Sequence, residues 1–241
     1  MDYLVITVDL PGHGLTGSTP AGDYTYTGMA NFLKEFTQSL EIKEFYLSGN
    51  SMGGAVSLQY ILSYPDDILG LILVDSAGVD IPKEAQQKVH YPLVFQLAGH
   101  WYSSWLVKYI TPRSLAGEGL ITAVADPAVL NSAMIDRYWE LGLHPGNREA
   151  TNKRFAWYRD GKTTLPVENI TVPTLILWGK EDRIIPVAVA DEFKRRIQNS
   201  KLHIFDTLGH IPMEESPLTT VKPVIEFLDE LSRTQISSSG S

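Results

Sequence analysis

Three residues far apart in this chain have the types and surroundings that acyl transfer needs. Ser51 lies in Gly49-Asn50-Ser51-Met52-Gly53-Gly54, after a short apolar run at 44–48 and before a helical pattern closed by Pro65. A serine at a strand-to-helix corner is held in a strained conformation that lifts its hydroxyl off the sheet, and the residues two places either side must be small. Gly49 and Gly53 are expected to meet that demand, with Gly54 letting the helix pack close. The helix's first N–H groups then face the site of a developing oxyanion, the Met52 amide foremost.

A serine hydroxyl is a weak nucleophile until a base takes its proton, and the base needs an acid to fix its tautomer. The chain has six histidines. His210, in Leu208-Gly209-His210-Ile211-Pro212-Met213-Glu214, follows the last strand pattern on the same sheet edge as Ser51 and is the expected base. His13 lies in a turn with a structural or pocket-wall role, and His203 is mid-strand and expected to be packed; His90, His100 and His144 fall in the insertion described below. For the acid, Asp182 follows a strand within Gly179-Lys180-Glu181-Asp182, and the order Ser51, Asp182, His210 suits a triad on a parallel sheet. Asp75 also ends a strand at that edge; it is the rival acid, with capping of the next segment as its structural alternative.

These residues are positioned by strand signals that alternate with helical ones, the pattern of an α/β protein with a mostly parallel sheet flanked by helices. Strands are expected at 3–8, 44–48, Ile68–Val74, 174–178 and 201–205, and helices at 26–40, 55–62, 187–197 and 221–231, the last with Pro223 in its first turn. About a hundred residues between the third and fourth of these strands lack a strand pattern, too many for an ordinary connection. Aromatics crowd there, so residues 80–165 read as a mostly helical cap, between core segments 1–79 and 166–235, with 236–241 a flexible tail. Most of the aromatics build the cap's own core. Trp101, Trp105 and Trp139, with Ile211 beside the base, are expected to line the substrate site.

The net charge of −8 argues against nucleic acid and against a basic membrane-binding face. Zero cysteines excludes disulfides and thiolate chemistry. No metal or organic cofactor is implied, since there is no histidine pair at ligand spacing, dinucleotide fingerprint or phosphate-binding loop. No secretory signal is visible at Met1, and the compartment stays open.

Together these motifs resemble the α/β-hydrolase fold superfamily over nearly the whole chain: Val8-Asp9-Leu10-Pro11-Gly12-His13-Gly14, the Ser51 elbow, Leu177-Trp178-Gly179-Lys180-Glu181-Asp182 and Gly209-His210. Val74-Asp75-Ser76-Ala77-Gly78 and the His210 segment are similar to the bacterial lipase/esterase branch. The Asn50-Ser51-Met52 elbow is also similar to that of meta-cleavage product hydrolases, which split C–C bonds. Those usually carry tryptophan after the histidine, where this chain has Ile211. The dehalogenase and epoxide hydrolase branches use an aspartate nucleophile, against which Ser51 argues.

In that superfamily, the 9–14 turn resembles the one after the fourth strand. The resemblance thus implies an N-terminally truncated sheet lacking the first three strands, roughly 50–80 residues by the usual spacing of such units. The second oxyanion donor would be missing with them, at a cost on the order of 10²–10³ in turnover. A longer gene product, a second polypeptide or swapped partner, or re-pairing of 3–8 against 45–48 would each account for it. The expected function is hydrolysis of a small-molecule carboxylic ester by Ser51, His210 and Asp182. C–C bond hydrolysis and a catalytically impaired binding module stand as alternatives, and the cap arginines Arg113, Arg137, Arg148, Arg154 and Arg159 leave the C–C reading open.

Overall fold

The computed structural model describes residues 3–161 and 163–239. Its centre is a parallel sheet in which chain order and spatial order coincide: β1 (Phe45–Asn50), β2 (Ile68–Val74), β3 (Thr174–Gly179) and β4 (Ser200–Phe205). The register pairs Ser48 with Ile72, Ile72 with Leu175, and Leu175 with Lys201. All four strands therefore end at one edge, where Ser51, Asp75, Asp182 and His210 follow them.

The alternation of the strands divides the core. Leu71, Leu73, Ile176 and Trp178 point into the larger apolar cluster, while Ile72, Leu175 and Leu177 point into a second one with Phe205 and Phe227. The first cluster is covered by α1 (Tyr26–Ser39), α2 (Met52–Ser63) and α8 (Ala188–Arg196), the second by α10 (Pro217–Ser239). With both faces covered, β2 and β3 read as unbroken apolar runs. Helix α1 begins where the Thr25 hydroxyl accepts from Gly28 N at 3.1 Å and buries Met29, Ala30 and Leu33 at helical spacing.

Between β2 and β3 the chain forms α3 (Leu93–Leu97), α4 (Ser104–Tyr109), α5 (Arg113–Ala123), α6 (Ser132–Leu143) and α7 (Asn147–Arg159), with short 3-10 turns. Leu120, Ala123, Val124 and Met134 of this excursion pack on Ile184 and Ile211, which belong to the loops after β3 and β4.

Four expectations are corrected. Residues 3–8 form no strand: among the described residues nothing pairs with them, so their ladder groups face water and Leu4 and Val5 are 88% and 78% exposed. The segment is tethered instead through Tyr3, whose ring lies edge-on to Tyr46 and whose hydroxyl is 3.1 Å from Ser232 Oγ. Pro223 sits inside α10, because Pro217 takes the first helical position, where a missing N–H costs nothing. His203 is exposed: β4 is the edge strand of the sheet, and the His203 ring lies on Phe205 at the margin of the second apolar cluster. Helix α10 runs to Ser239, over part of the stretch read as a flexible tail; Gly240 and Ser241 lie outside the described residues.

Candidate active site

Ser51 stands between β1 and α2 with φ 54° and ψ −119°, a left-handed φ that a serine adopts only under constraint, typically at 1–3 kcal/mol. The constraint is visible: Ser51 N donates to Val74 O at 3.0 Å, and Ser51 O accepts from Ala77 N at 2.9 Å. Although Ser51 is the N-cap of α2, its side chain makes no capping bond, so the hydroxyl is not spent on the helix. Met52 is the first helical residue, and its N–H has no intrahelical acceptor.

The steric demand of the elbow falls differently from the expectation. A Cβ on Gly49 would lie 2.3 Å from Gly53 O, and one on Gly54 would lie 2.2 Å from Ser76 Oγ, so both must be glycine. A Cβ on Gly53 would meet nothing within 4 Å among the described residues. Gly53 contributes its carbonyl to the crowding, not its missing side chain.

His210 follows β4 and is held from three directions. Its N–H donates to Ala123 O at 2.7 Å, at the end of α5. Its carbonyl accepts from Asn50 Nδ2 at 3.0 Å, and the same amide donates to Val74 O at 3.1 Å. Its Nδ1 lies 2.7 Å from Asp182 Oδ2, with both side chains almost wholly buried. Against a carboxylate, Nδ1 is the donor, which leaves Nε2 as the lone-pair nitrogen. Among the described residues neither Ser51 Oγ nor His210 Nε2 has a hydrogen-bond partner. Both atoms are therefore uncommitted.

Asp182 is fixed in turn. Its Oδ1 accepts from Ile184 N at 2.8 Å and Ile185 N at 2.9 Å. The two loops press together so closely that a Cβ on Gly179 would lie 2.0 Å from Gly209 O. Glu215, in α9 (Pro212–Glu215), joins them to the cap: it accepts from Gly209 N at 2.6 Å and Ala125 N at 2.8 Å.

Asp75 does not cap the next segment. It is fully buried, its Oδ1 accepts from Gly179 N at 2.9 Å, and burial, then the charge of Asp182, raises its carboxyl well above the usual carboxylate range. Oxygens of Asp75 and Asp182 and a ring nitrogen of His210 lie within 4.8 Å of one another, a spacing that a cation could bridge. Asp182 Oδ2 and His210 Nδ1 are, however, already spent on each other.

The expected substrate-lining residues divide. Ile211 is buried next to His210, against Leu120, Ala123 and Met134 of the cap. Trp101 is 89% exposed and edge-on to Tyr102, and Trp105 donates its indole N–H to Tyr102 O, so neither is turned inward. Trp139 donates to Thr111 O at 2.8 Å within the cap. Trp105 and Trp139 are thus oriented by local carbonyls, since a buried or half-buried indole N–H takes a nearby acceptor.

Asn50 and Glu215 are contacts that the sequence reading missed. Asn50 lay inside the elbow motif as its variable position; no spacing signal exists for Glu215. His13 proves to be a half-buried neighbour of the buried Arg154, and desolvation, then the guanidinium charge, lowers its pKa from 6.5 to about 3.

Known proteins share this arrangement of elements. The chain is 26% identical to the monoacylglycerol lipase ABHD6 of Mus musculus over 95% of its own length and 69% of that protein's. A thermophilic esterase from Thermogutta terrifontis superposes with a TM-score of 0.71 at 25% identity, covering 92% of this chain and 78% of that one. A meta-cleavage product hydrolase from Pseudomonas fluorescens superposes with a TM-score of 0.76 at 20% identity, over 92% and 78% of the two chains, a likeness of fold alone. Residues 2–217 match the family profile described as alpha/beta hydrolase fold, and with the parallel sheet and the Ser51 elbow in place the chain belongs to that family.

Proposed function

We propose that this protein is a serine hydrolase of carboxylic esters, acting through an acyl-enzyme on substrates with an acyl chain of moderate to large apolar character. The observation that carries this reading is the buried Asp182–His210 hydrogen bond at the sheet edge where Ser51 projects an unspent hydroxyl. Ser51 Oγ attacks the ester carbonyl while His210 Nε2 takes its proton, and the Met52 N–H receives the oxyanion. Collapse expels the alkoxide with that proton. Water then cleaves the acyl-enzyme with His210 again as base, and Asp182 stabilises the imidazolium in both halves.

The monoacylglycerol lipase and esterase likenesses support an ester over other acyl donors. C–C bond hydrolysis would require a cap cation to hold the substrate carboxylate. The cap cations are largely engaged: Arg113 with Asp136, Arg137 through Nη2 with both oxygens of Glu214 at 2.9 and 2.8 Å, and Arg159 on Ala98 O at 2.8 Å.

A fluorophosphonate probe tests the core claim. Labelling that disappears in Ser51→Ala is expected. No labelling of the native protein would favour a binding module. Turnover of nitrophenyl esters but not of a ring-fission dienoate then separates ester from C–C chemistry. The outer edge of β1 has no strand beside it among the described residues, so a second polypeptide or a swapped partner has a ladder to join there. Native mass spectrometry showing a fully active monomer would remove that partner.

A further inference from the structure

Asp75 has no part in the chemistry just described, yet its placement is costly. It follows β2 directly with φ 43°, a left-handed conformation uncommon for aspartate, and its side chain has no exposure to water. One oxygen accepts from Gly179 N; the other, Oδ2, is buried without a hydrogen-bond partner. A buried acceptor without a donor is expensive, whereas a buried carboxylic O–H facing a carboxylate is not.

The neighbours decide where a proton would sit. Asp182 faces Asp75 from the loop after β3, His210 from the loop after β4, and Glu215 from α9, and neither lysine nor arginine is among these groups. Two carboxylates this close in a dry site cannot both ionise. Asp182 receives three donors, from Ile184 N, Ile185 N and His210 Nδ1, and Asp75 receives one. The charge belongs on the better-solvated group, Asp182, and the proton on the other.

We propose that Asp75 is a neutral carboxylic acid whose Oδ2–H is directed at the Asp182 carboxylate, making it a positioning residue that orients Asp182 toward His210. This deepens the triad reading above, but the protonation state can be measured without turnover. In the full chain labelled at the aspartate carboxyl carbon, one resonance should keep the shift of a protonated acid at neutral pH and vanish in Asp75→Asn. If every aspartate signal is ionised, or the protonated one vanishes in Asp182→Asn instead, the assignment is overturned, and the first outcome needs no variant to fold.

A second measurement follows the His210 ring by NMR titration. Asp75→Asn keeps an N–H donor without charge, so the midpoint should stay within about 0.3 unit of wild type. Asp75→Ala removes the donor, concentrates charge on Asp182 and should raise the midpoint. A fall of about one unit in Asp75→Asn would mean that a negative charge had been removed. An unmoved midpoint in Asp75→Ala would mean that Asp75 does not act on Asp182. Either result ends the proposal.

Discussion

The side-chain amide of Asn50 donates to the backbone carbonyl of His210 at 3.0 Å, so the residue beside the elbow serine holds the histidine loop in place. Its second donor goes to Val74 O at 3.1 Å, which ties that loop to β2 as well. Replacing it with alanine leaves the His210 carbonyl without its donor, while Val74 O keeps its bond from Ser51 N, and so loosens His210 while leaving the Asp182 bond possible. Asn50→Ala should cost about 1–3 kcal/mol of stability, and kcat should fall more than KM rises. Urea unfolding with ester kinetics checks this; unchanged kcat would show that the loop does not need the tie.

The elbow glycines should behave oppositely. Gly49→Ala places a methyl 2.3 Å from Gly53 O, backbone that cannot yield, and should abolish probe labelling or folding. Gly53→Ala enters open space in the first turn of α2 and should be tolerated, with a gain of up to about 1 kcal/mol from helix propensity. Thermal unfolding of the pair decides it.

Asp182→Asn would put an amide where His210 Nδ1 needs an acceptor, favouring the wrong tautomer. By the general triad logic kcat should fall by about 10⁴ with little loss of stability. A loss under about tenfold in nitrophenyl ester turnover would remove Asp182 from the mechanism.

Glu215 joins the cap to the histidine loop through Ala125 N and Gly209 N. Glu215→Ala should destabilise by about 2–3 kcal/mol and lower kcat, whereas Glu215→Gln, which retains one acceptor oxygen, should recover part of both. If the two variants match wild type in urea midpoint and kcat, the bridge has no energetic weight.

His13 gives a pH prediction. Its pKa falls from 6.5 to about 3 on folding, through burial and then the Arg154 charge, so between those values the unfolded chain binds more protons. Its contribution is complete above the unfolded value and is lost as pH falls toward the folded one, with a slope up to about 1.4 kcal/mol per pH unit. Urea midpoints measured from about pH 7 to pH 4.5 should decline less steeply in His13→Gln than in wild type.

What could be read from the chain without coordinates was whatever depends on local pattern. β2 spans Ile68–Val74, as its unbroken apolar run implies, and Ser51, Asp182 and His210 each follow a strand because turn residues and strand ends are written consecutively. Residues 3–8 have an equally apolar pattern, but a strand exists only where another strand offers it donors and acceptors, and pattern cannot say whether one does. The orientation of Trp101, Trp105 and Trp139 was likewise not written locally: aromatic content says that a surface is apolar, not which way it faces. Contacts across 160 positions, such as Asn50 on His210, and the choice between Asp75 and Asp182 as the partner of that imidazole, were settled only when β1, β2, β3 and β4 came into register and brought their ends to one edge.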